Sequence, residues 1–240
     1  MSESILRVKN LSVSFDGKRV LSDIDAEVAP GESVAIIGPN GSGKTVFLRA
    51  LIGAVPHEGE IHWAKDVRIG YVPQRIDLER TLPLTVRDFL LTRAASLGLV
   101  HDTIRKNMGL VRLPESFLDK KLGSLSSGQL QRVLIAFALI GDPNVLLFDE
   151  PTSGVDLPRE EQIYETLHRL QDEKHFTLFL VSHDLSLVYR YATKVLCINQ
   201  RLVCYGTPQH VLTEENLHHL YGDRVIYHHH HSEGSREHHE

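Results

Sequence analysis

Residues 38–45 read Gly38-Pro39-Asn40-Gly41-Ser42-Gly43-Lys44-Thr45, and no other stretch constrains the fold as strongly. The octapeptide fits G-x-x-x-x-G-K-[ST]. Ser33-Val34-Ala35-Ile36-Ile37 precedes it, a short apolar run that predicts a buried strand. Val46 to Ile52 follows, with helical character and a stop at Gly53. Strand, glycine loop and helix therefore come in order. Glycine lets the backbone turn tightly and approach an anion with no Cβ in the way. The loop amides and the positive end of the helix dipole then face that anion. Lys44 is expected to reach the β- and γ-phosphates of a nucleoside triphosphate, and the Thr45 hydroxyl to bind Mg²⁺. An ordinary glycine turn before a helix would not need every fixed position and both flanks.

The 240 residues are enough for one large core or a core with a subdomain, and 42% hydrophobic with 24% charged residues is ordinary for a soluble globular chain. A formal charge of -5 gives no reason to expect nucleic-acid binding. The longest apolar runs, Val133 to Ile140 and Thr177 to Val181, fall far short of the ~20 residues that span a bilayer. Met1-Ser2-Glu3-Ser4 opens no signal peptide, and two cysteines, Cys197 and Cys204, make no disulfide framework. The expected compartment is the cytosol.

Leu6 to Phe15 and Val20 to Val28 alternate apolar and polar residues around Asp16-Gly17-Lys18-Arg19, which predicts a hairpin. Phe15 closes the first strand. Its ring could stack on a base, but from spacing alone it is strand core. His57 to Trp63 and Val67 to Val72 predict further strands, with His57 and His62 as solvated strand-edge residues. Gln74 lies just past the second of these, where a polar amide can touch a metal-bound water. Thr85 is a candidate N-cap for a helix reaching Leu97, with Val86, Phe89, Leu90 and Leu97 on one side and Gly98 as the stop. His101 to Leu113 predicts another helix. Residues 75–143 thus form a helical insertion in an α/β core.

Leu125-Ser126-Ser127-Gly128-Gln129 precedes a helix over Leu130 to Ile140 with an apolar face of Leu130, Val133, Leu134, Phe137 and Ala138. Small polar residues and a glycine before a helix predict a second N-terminus facing an anion. Val145-Leu146-Leu147-Phe148 then predicts a central parallel strand buried on both faces. Asp149 and Glu150 follow at its C-terminal end, where open α/β sheets bind ligands. Asp149 is expected to hold Mg²⁺ through water, and Glu150 to polarise the water that attacks the γ-phosphate. A solvated acidic loop would not explain a buried strand running straight into paired acids. Asp156 is the expected N-cap of a helix over Leu157 to Lys174. Phe176 to Val181 predicts another buried strand, placing His183 at the sheet edge of Asp149 and Glu150, within reach of a γ-phosphate. Val195 to Asn199 and Leu202 to Tyr205 predict a hairpin across which Cys197 and Cys204 can face each other, as small buried residues rather than metal ligands.

Residues 227–240 have no apolar period and carry His228-His229-His230-His231 and His238-His239. Imidazoles bind Zn²⁺ and related ions. Four histidines with a second pair after a mixed spacer differ from a purification tag, and the expectation is a native metal-interacting tail.

Taken together, these motifs resemble the ATP-binding-cassette ATPases over residues 5 to about 210. They comprise a Walker A loop at 38–45, a Q-loop at Gln74, a signature at 125–129, a Walker B strand ending at Asp149-Glu150, a D-loop at Ser153-Gly154-Val155-Asp156 and a switch histidine at His183. The resemblance implies a P-loop ATPase fold with a RecA-like core, an antiparallel β subdomain and an inserted helical subdomain. It implies one ATPase domain over 1–226, followed by the tail. It makes Phe15 the aromatic residue that stacks on adenine, reversing the spacing-only preference. Gly38, Pro39, Asn40, Gly41, Ser42, Gly43, Lys44, Thr45 and Val46 would line the nucleotide. Two cassettes would dimerise head to tail, so that Ser126, Ser127, Gly128, Gln129 and Asp156 of one meet the ATP of the other. Lys44, Gln74, Glu150 and His183 would serve catalysis, and Thr45, Gln74 and Asp149 the Mg²⁺. Two departures stand out: Ser127 replaces the usual first glycine of the signature, and Gly154-Val155 replaces Ala-Leu in the D-loop.

Within that family the chain looks like the ATPase subunit of zinc/manganese-type importers. The likeness rests on Tyr71-Val72-Pro73-Gln74 with Leu82 to Val86, on Gly206-Thr207-Pro208 through Leu220-Tyr221-Gly222, and on the histidine tail. It implies a peripheral subunit at the cytoplasmic face of the membrane, working with an integral permease and an external metal-binding protein. Exposed apolar residues around Leu82 to Val86 would meet the permease. The competing expectations are a soluble cassette ATPase without a transporter, an importer subunit for another metal or an iron chelate, and a metal buffer whose tail is the working part.

Overall fold

The computed structural model describes residues 4–74, 83–99, 102–149 and 157–222. Strands β1 (Leu6–Phe15) and β2 (Lys18–Val28) form the expected hairpin, but the turn is only Asp16-Gly17, and Lys18 and Arg19 already pair across it. Both turn residues have positive φ, 48° and 75°, which is the two-residue hairpin geometry. β3 (Ser33–Ile37) is buried at every position and runs into α1 (Lys44–Leu51). β4 (Glu58–Trp63) returns to pair antiparallel with β1, closing a sheet in the order β2-β1-β4. His57 and His62 are exposed there, as expected.

The second sheet has the order β5-β6-β7-β3-β8-β9. It contains β5 (Ile69–Val72), β6 (Val145–Phe148), β7 (Thr177–Val181), β8 (Lys194–Ile198) and β9 (Leu202–Gly206). All neighbours are parallel except β8 and β9, which form a terminal hairpin. β6 and β7 are buried on both faces, which is why their sequences are unbroken apolar runs.

Among the described residues, three α-helices stand between β5 and β6: α2 (Val86–Ser96), α3 (Asp102–Leu110) and α4 (Ser127–Leu139). The hydroxyl of Thr85 accepts from the Asp88 amide while the Asp88 carboxylate accepts from the Thr85 amide, a capping box that fixes where α2 starts. Val86 and Leu90 are buried, together with Ala94. Leu97, however, is the C-cap and 43% exposed. The helix stops at Ser96, so Leu97 leaves the apolar stripe that spacing assigned to it. Val86 is itself part of the core, and Leu84 packs against it. Of the expected exposed apolar stretch at 82–86, Val86 is core, Leu84 is part-buried, Pro83 is exposed, and Leu82 lies outside the described residues. Among the described residues of this block, the exposed large apolar side chains are Leu97 and Leu99.

After β6 come α5 (Leu157–Lys174), then α6 (Leu185–Tyr191) following β7, and α7 (Pro208–Val211) and α8 (Glu214–Tyr221) following β9. The cysteine pair is buried and faces across the hairpin as expected, but it is also covalently joined. Cys197 and Cys204 stand opposite each other in the β8–β9 register, with Cα atoms 5.0 Å apart, and a disulfide joins them. The short hairpin makes that pairing, which composition alone did not reveal. The expected Asp156 cap, the D-loop and the histidine tail at 227–240 lie outside the described residues. Among those described, no helix is long and apolar enough to cross a membrane.

Candidate nucleotide site

The parallel sheet decides where the functional side chains meet. β5, β6, β7 and β3 lie side by side and point the same way, so their C-terminal ends share one edge. Gln74, Asp149, His183 and the loop 38–45 each follow one of these strands. They are 30 to over 100 residues apart in sequence, and the strand order alone brings them to one edge.

The loop wraps the start of α1. Gly38, Gly41 and Gly43 all have positive φ, at 151°, 77° and 104°. A Cβ on Gly38 would lie 2.0 Å from the Ile198 carbonyl oxygen, and one on Gly43 would lie 2.4 Å from Leu21. Both positions need glycine on packing as well as conformational grounds. Lys44 is buried, and its Nζ donates to the carbonyls of Gly38 at 2.8 Å and Pro39 at 2.9 Å. The ammonium thus lies over its own loop, at the centre of the curve that the backbone makes. Pro39 and Val46 are part-buried, Asn40 is exposed, and the Ser42 hydroxyl is enclosed without a hydrogen-bond partner.

The β8–β9 turn braces this loop from behind. The Gln200 amide donates to the Ser42 carbonyl at 2.9 Å, and the Gln200 carbonyl accepts from the Ser22 amide at 2.8 Å. Neither Gln200 nor Ile198 was identified from the sequence, because both contributions come from backbone atoms.

Asp149 is 1% exposed at the end of β6. Its Oδ1 accepts from the Thr45 hydroxyl at 2.8 Å, and its Oδ2 accepts from the Tyr71 hydroxyl at 3.1 Å. Its backbone amide donates to the Val72 carbonyl at 2.9 Å. Burial and the neighbouring Asp149 carboxylate push the Tyr71 phenol up to about 12, against a smaller pull from the Arg49 guanidinium. Tyr71 therefore remains a hydrogen-bond donor across the physiological range. It was legible only as part of a family-like tetrapeptide, not as a partner of Asp149.

Gln74 and His183 are exposed at the same edge. The Asp184 carboxylate caps α6 by accepting from the Ser186 and Leu187 amides, which fixes the backbone one residue beyond His183. Phe15 is 40% exposed at the end of β1, so it is not the strand-core residue that spacing favoured. Glu150 and Asp156 lie outside the described residues.

Ser126 to Gln129 lie elsewhere. The Ser126 hydroxyl accepts from the Gln129 amide, and the Gln129 carboxamide accepts from the Ser126 amide, capping α4. Ser127 is in the first turn, so the helix starts three residues earlier than its apolar stripe indicated. Ser126, Gly128, Gln129 and Arg132 line a cleft of about 260 Å³ whose other wall is α5, with Gln162, Ile163 and Thr166. No residue of the 38–45 loop lines it. Within one chain, the two glycine motifs thus border different spaces.

A glycine loop between β3 and α1, with an acid at the end of a nearby parallel strand, defines a P-loop nucleotide-hydrolysing fold. Residues 21–153 match the ABC transporter family, and the chain belongs to it. Among relatives, the zinc import ATP-binding protein ZnuC of Pseudomonas entomophila is 39% identical, with 96% of this chain and 90% of that protein covered. ZnuC of Haemophilus influenzae is 36% identical, covering 96% and 87%. Among solved structures, a chain of a metal-chelate type ABC transporter in an inward-facing conformation superposes with a TM-score of 0.81 and 26% identity, over 91% of this chain and 89% of that one. CbiO1 of Clostridium perfringens, part of the cbiONQ transporter complex, gives 0.75 and 28%, over 90% and 93%.

Proposed function

We propose that this chain is the ATP-hydrolysing subunit of a zinc importer, peripheral at the cytoplasmic face and coupled to a separate membrane permease fed by an external metal-binding protein. Residues 1–226 would be the ATPase unit and 227–240 a metal-interacting tail. The observation that carries the ATPase reading is the 2.8 Å contact of Thr45 with Asp149, which ties the phosphate loop to the acidic strand end. Zinc as cargo is supported by the relatives named as zinc import proteins at 36–39% identity over most of this chain.

In this reading the loop amides and Lys44 hold the phosphates, with Lys44 exchanging its own loop carbonyls for phosphate oxygens. Phe15 offers an exposed ring face for adenine. The buried carboxylate of Asp149 beside the Thr45 hydroxyl is a hard oxygen pair that fits Mg²⁺, with Gln74 as a further oxygen at the same edge. Mg²⁺, when bound, neutralises charge on the β- and γ-phosphates. Glu150 orients the attacking water and His183 donates to the γ-phosphate. Two copies pair head to tail, so that Ser126, Ser127, Gly128, Gln129 and Asp156 of each close on the nucleotide of the other.

Two measurements test this. Glu150→Gln should keep ATP binding within about twofold while turnover falls by a factor on the order of 10³; wild-type turnover would remove Glu150 as the base. ATP-driven uptake into proteoliposomes holding the permease and binding protein, with Zn²⁺ and Mn²⁺ in competition, tests the cargo. Selective Zn²⁺ uptake is expected, at a rate that changes when residues 228–240 are removed. Uptake of neither ion with ATPase intact would overturn the metal assignment.

A further inference from the structure

We infer that Tyr71 is a positioning residue for the metal-binding carboxylate of the ATPase site. The inference rests on the assignment of Asp149 to Mg²⁺ and concerns how that carboxylate is aimed. Asp149 has its two oxygens engaged in two directions. Oδ1 meets Thr45, on the helix that follows the phosphate loop, and Oδ2 meets Tyr71, on β5. The first contact is with a residue that itself faces the nucleotide, so it is the one that must rearrange when ligand arrives. The second comes from a strand whose register with β6 is fixed: Tyr71 pairs with Leu147 and Val72 with Phe148, and the Asp149 amide closes onto the Val72 carbonyl at 2.9 Å.

The Tyr71 ring is half-buried and packs against the core cluster that holds Phe47 and Leu48 of α1. The phenol is therefore a rigid donor with few torsions, carried by β5 directly beside the strand that carries Asp149. A carboxylate fixed through one oxygen presents its other oxygen in one orientation, which lowers the ordering cost of binding a hard cation. Loss of such an outer partner typically weakens a metal site by about 10- to 100-fold. Tyr71 also stands three residues before Gln74 on the same strand end, so the bond ties the carboxylate to the segment leading to that glutamine.

Tyr71→Phe removes only the hydroxyl and leaves the packed ring. The test is Mn²⁺ binding in the presence of ATP, read by electron paramagnetic resonance, together with ATP affinity in EDTA and the thermal midpoint. Asp149→Asn is run in parallel. For Tyr71→Phe we expect Mn²⁺ affinity to fall by about tenfold, an altered Mn²⁺ line shape, metal-free ATP affinity within twofold and a little-changed melting curve. If Asp149→Asn abolishes Mn²⁺ binding while Tyr71→Phe leaves both affinity and line shape as in the parent, Tyr71 is a packing residue and the inference fails. If Asp149→Asn itself leaves Mn²⁺ binding intact, the metal assignment fails first and takes the role of Tyr71 with it. A large drop in the melting curve of Tyr71→Phe with normal Mn²⁺ binding in the folded fraction would likewise overturn the positioning role.

Discussion

Gly38 and Gly128 belong to the two glycine motifs of this chain, and their surroundings are opposite. Gly38, at the end of β3, is enclosed. Its φ is 151°, and a Cβ there would run into the Ile198 carbonyl at 2.0 Å. Gly128, in the first turn of α4, has nothing within 4 Å of where a Cβ would be, and its backbone is ordinary helix. The first glycine is required by the chain's own packing. The second is required by nothing within the described residues of a single chain. The proposed head-to-tail pairing would bring a second chain to that free space at the N-terminus of α4, beside the cleft.

The largest effect expected is at Gly38. Gly38→Ala must push the β8–β9 turn away from the loop, and the same turn holds Ser42 through Gln200. The backbone contact cannot relax by a side-chain rotation. A cost of about 3 kcal/mol is expected, lowering the melting midpoint by roughly 6–12 °C for a chain of this size. ATP affinity of the folded fraction should drop by more than about tenfold, since the loop amides are displaced with it. Differential scanning fluorimetry with and without nucleotide checks both. An unchanged midpoint would mean that the turn yields, and that the enclosure of Gly38 is not what separates the two glycines.

Gly128→Ala is the sharper test. In the isolated chain the added methyl meets open space, and alanine is the better helix former by up to about 1 kcal/mol. The midpoint should hold or rise by a few degrees, and ATP binding at the 38–45 loop should stay within about twofold, because that loop lines no part of the cleft. ATP turnover should fall by about tenfold or more if a partner's phosphates approach the Gly128 backbone closely. Full turnover at normal protein concentration would mean that nothing comes close, and would break the comparison from its functional side.

The contrast also marks what was legible in the sequence. β3, β6 and β7 were visible as unbroken apolar runs because parallel strands are buried on both faces, and the loop was visible because only glycine tolerates its torsions. Strand order was not encoded in any one segment, yet it is what places Asp149 and His183 beside the loop. Pattern counting failed where an element ended: Leu97 lay on the right helical stripe, but α2 had already stopped. It held at Val86, which the stripe placed on the buried side of α2, whereas the family likeness grouped that residue with an exposed apolar stretch. Cross-strand relations were only partly visible. The hairpin already set Cys197 opposite Cys204, though not bonded to it, whereas the Tyr71–Asp149 contact depends on a register that a single sequence does not print.

Phe15 extends the comparison to the smallest effect. Like Gly128 it is open: 40% exposed, at a hairpin end where Phe15 faces Lys18 across the turn. It contributes little to the core, so Phe15→Ala should move the melting midpoint by only one or two degrees, equivalent to about 0.5 kcal/mol. An aromatic face left in solvent is available to a base, and stacking on such a ring contributes about 1–3 kcal/mol. ATP affinity should therefore fall about 5- to 150-fold, while Phe15→Tyr, which keeps the ring face, should restore it. Because stacking is indifferent to the base, the loss should be similar for GTP, and turnover at saturating nucleotide should be preserved. If Phe15→Ala instead lowers the midpoint strongly and leaves affinity alone, Phe15 sides with Gly38 as a residue of the fold, and the division between groups held by the chain and groups left open for a ligand is drawn in the wrong place.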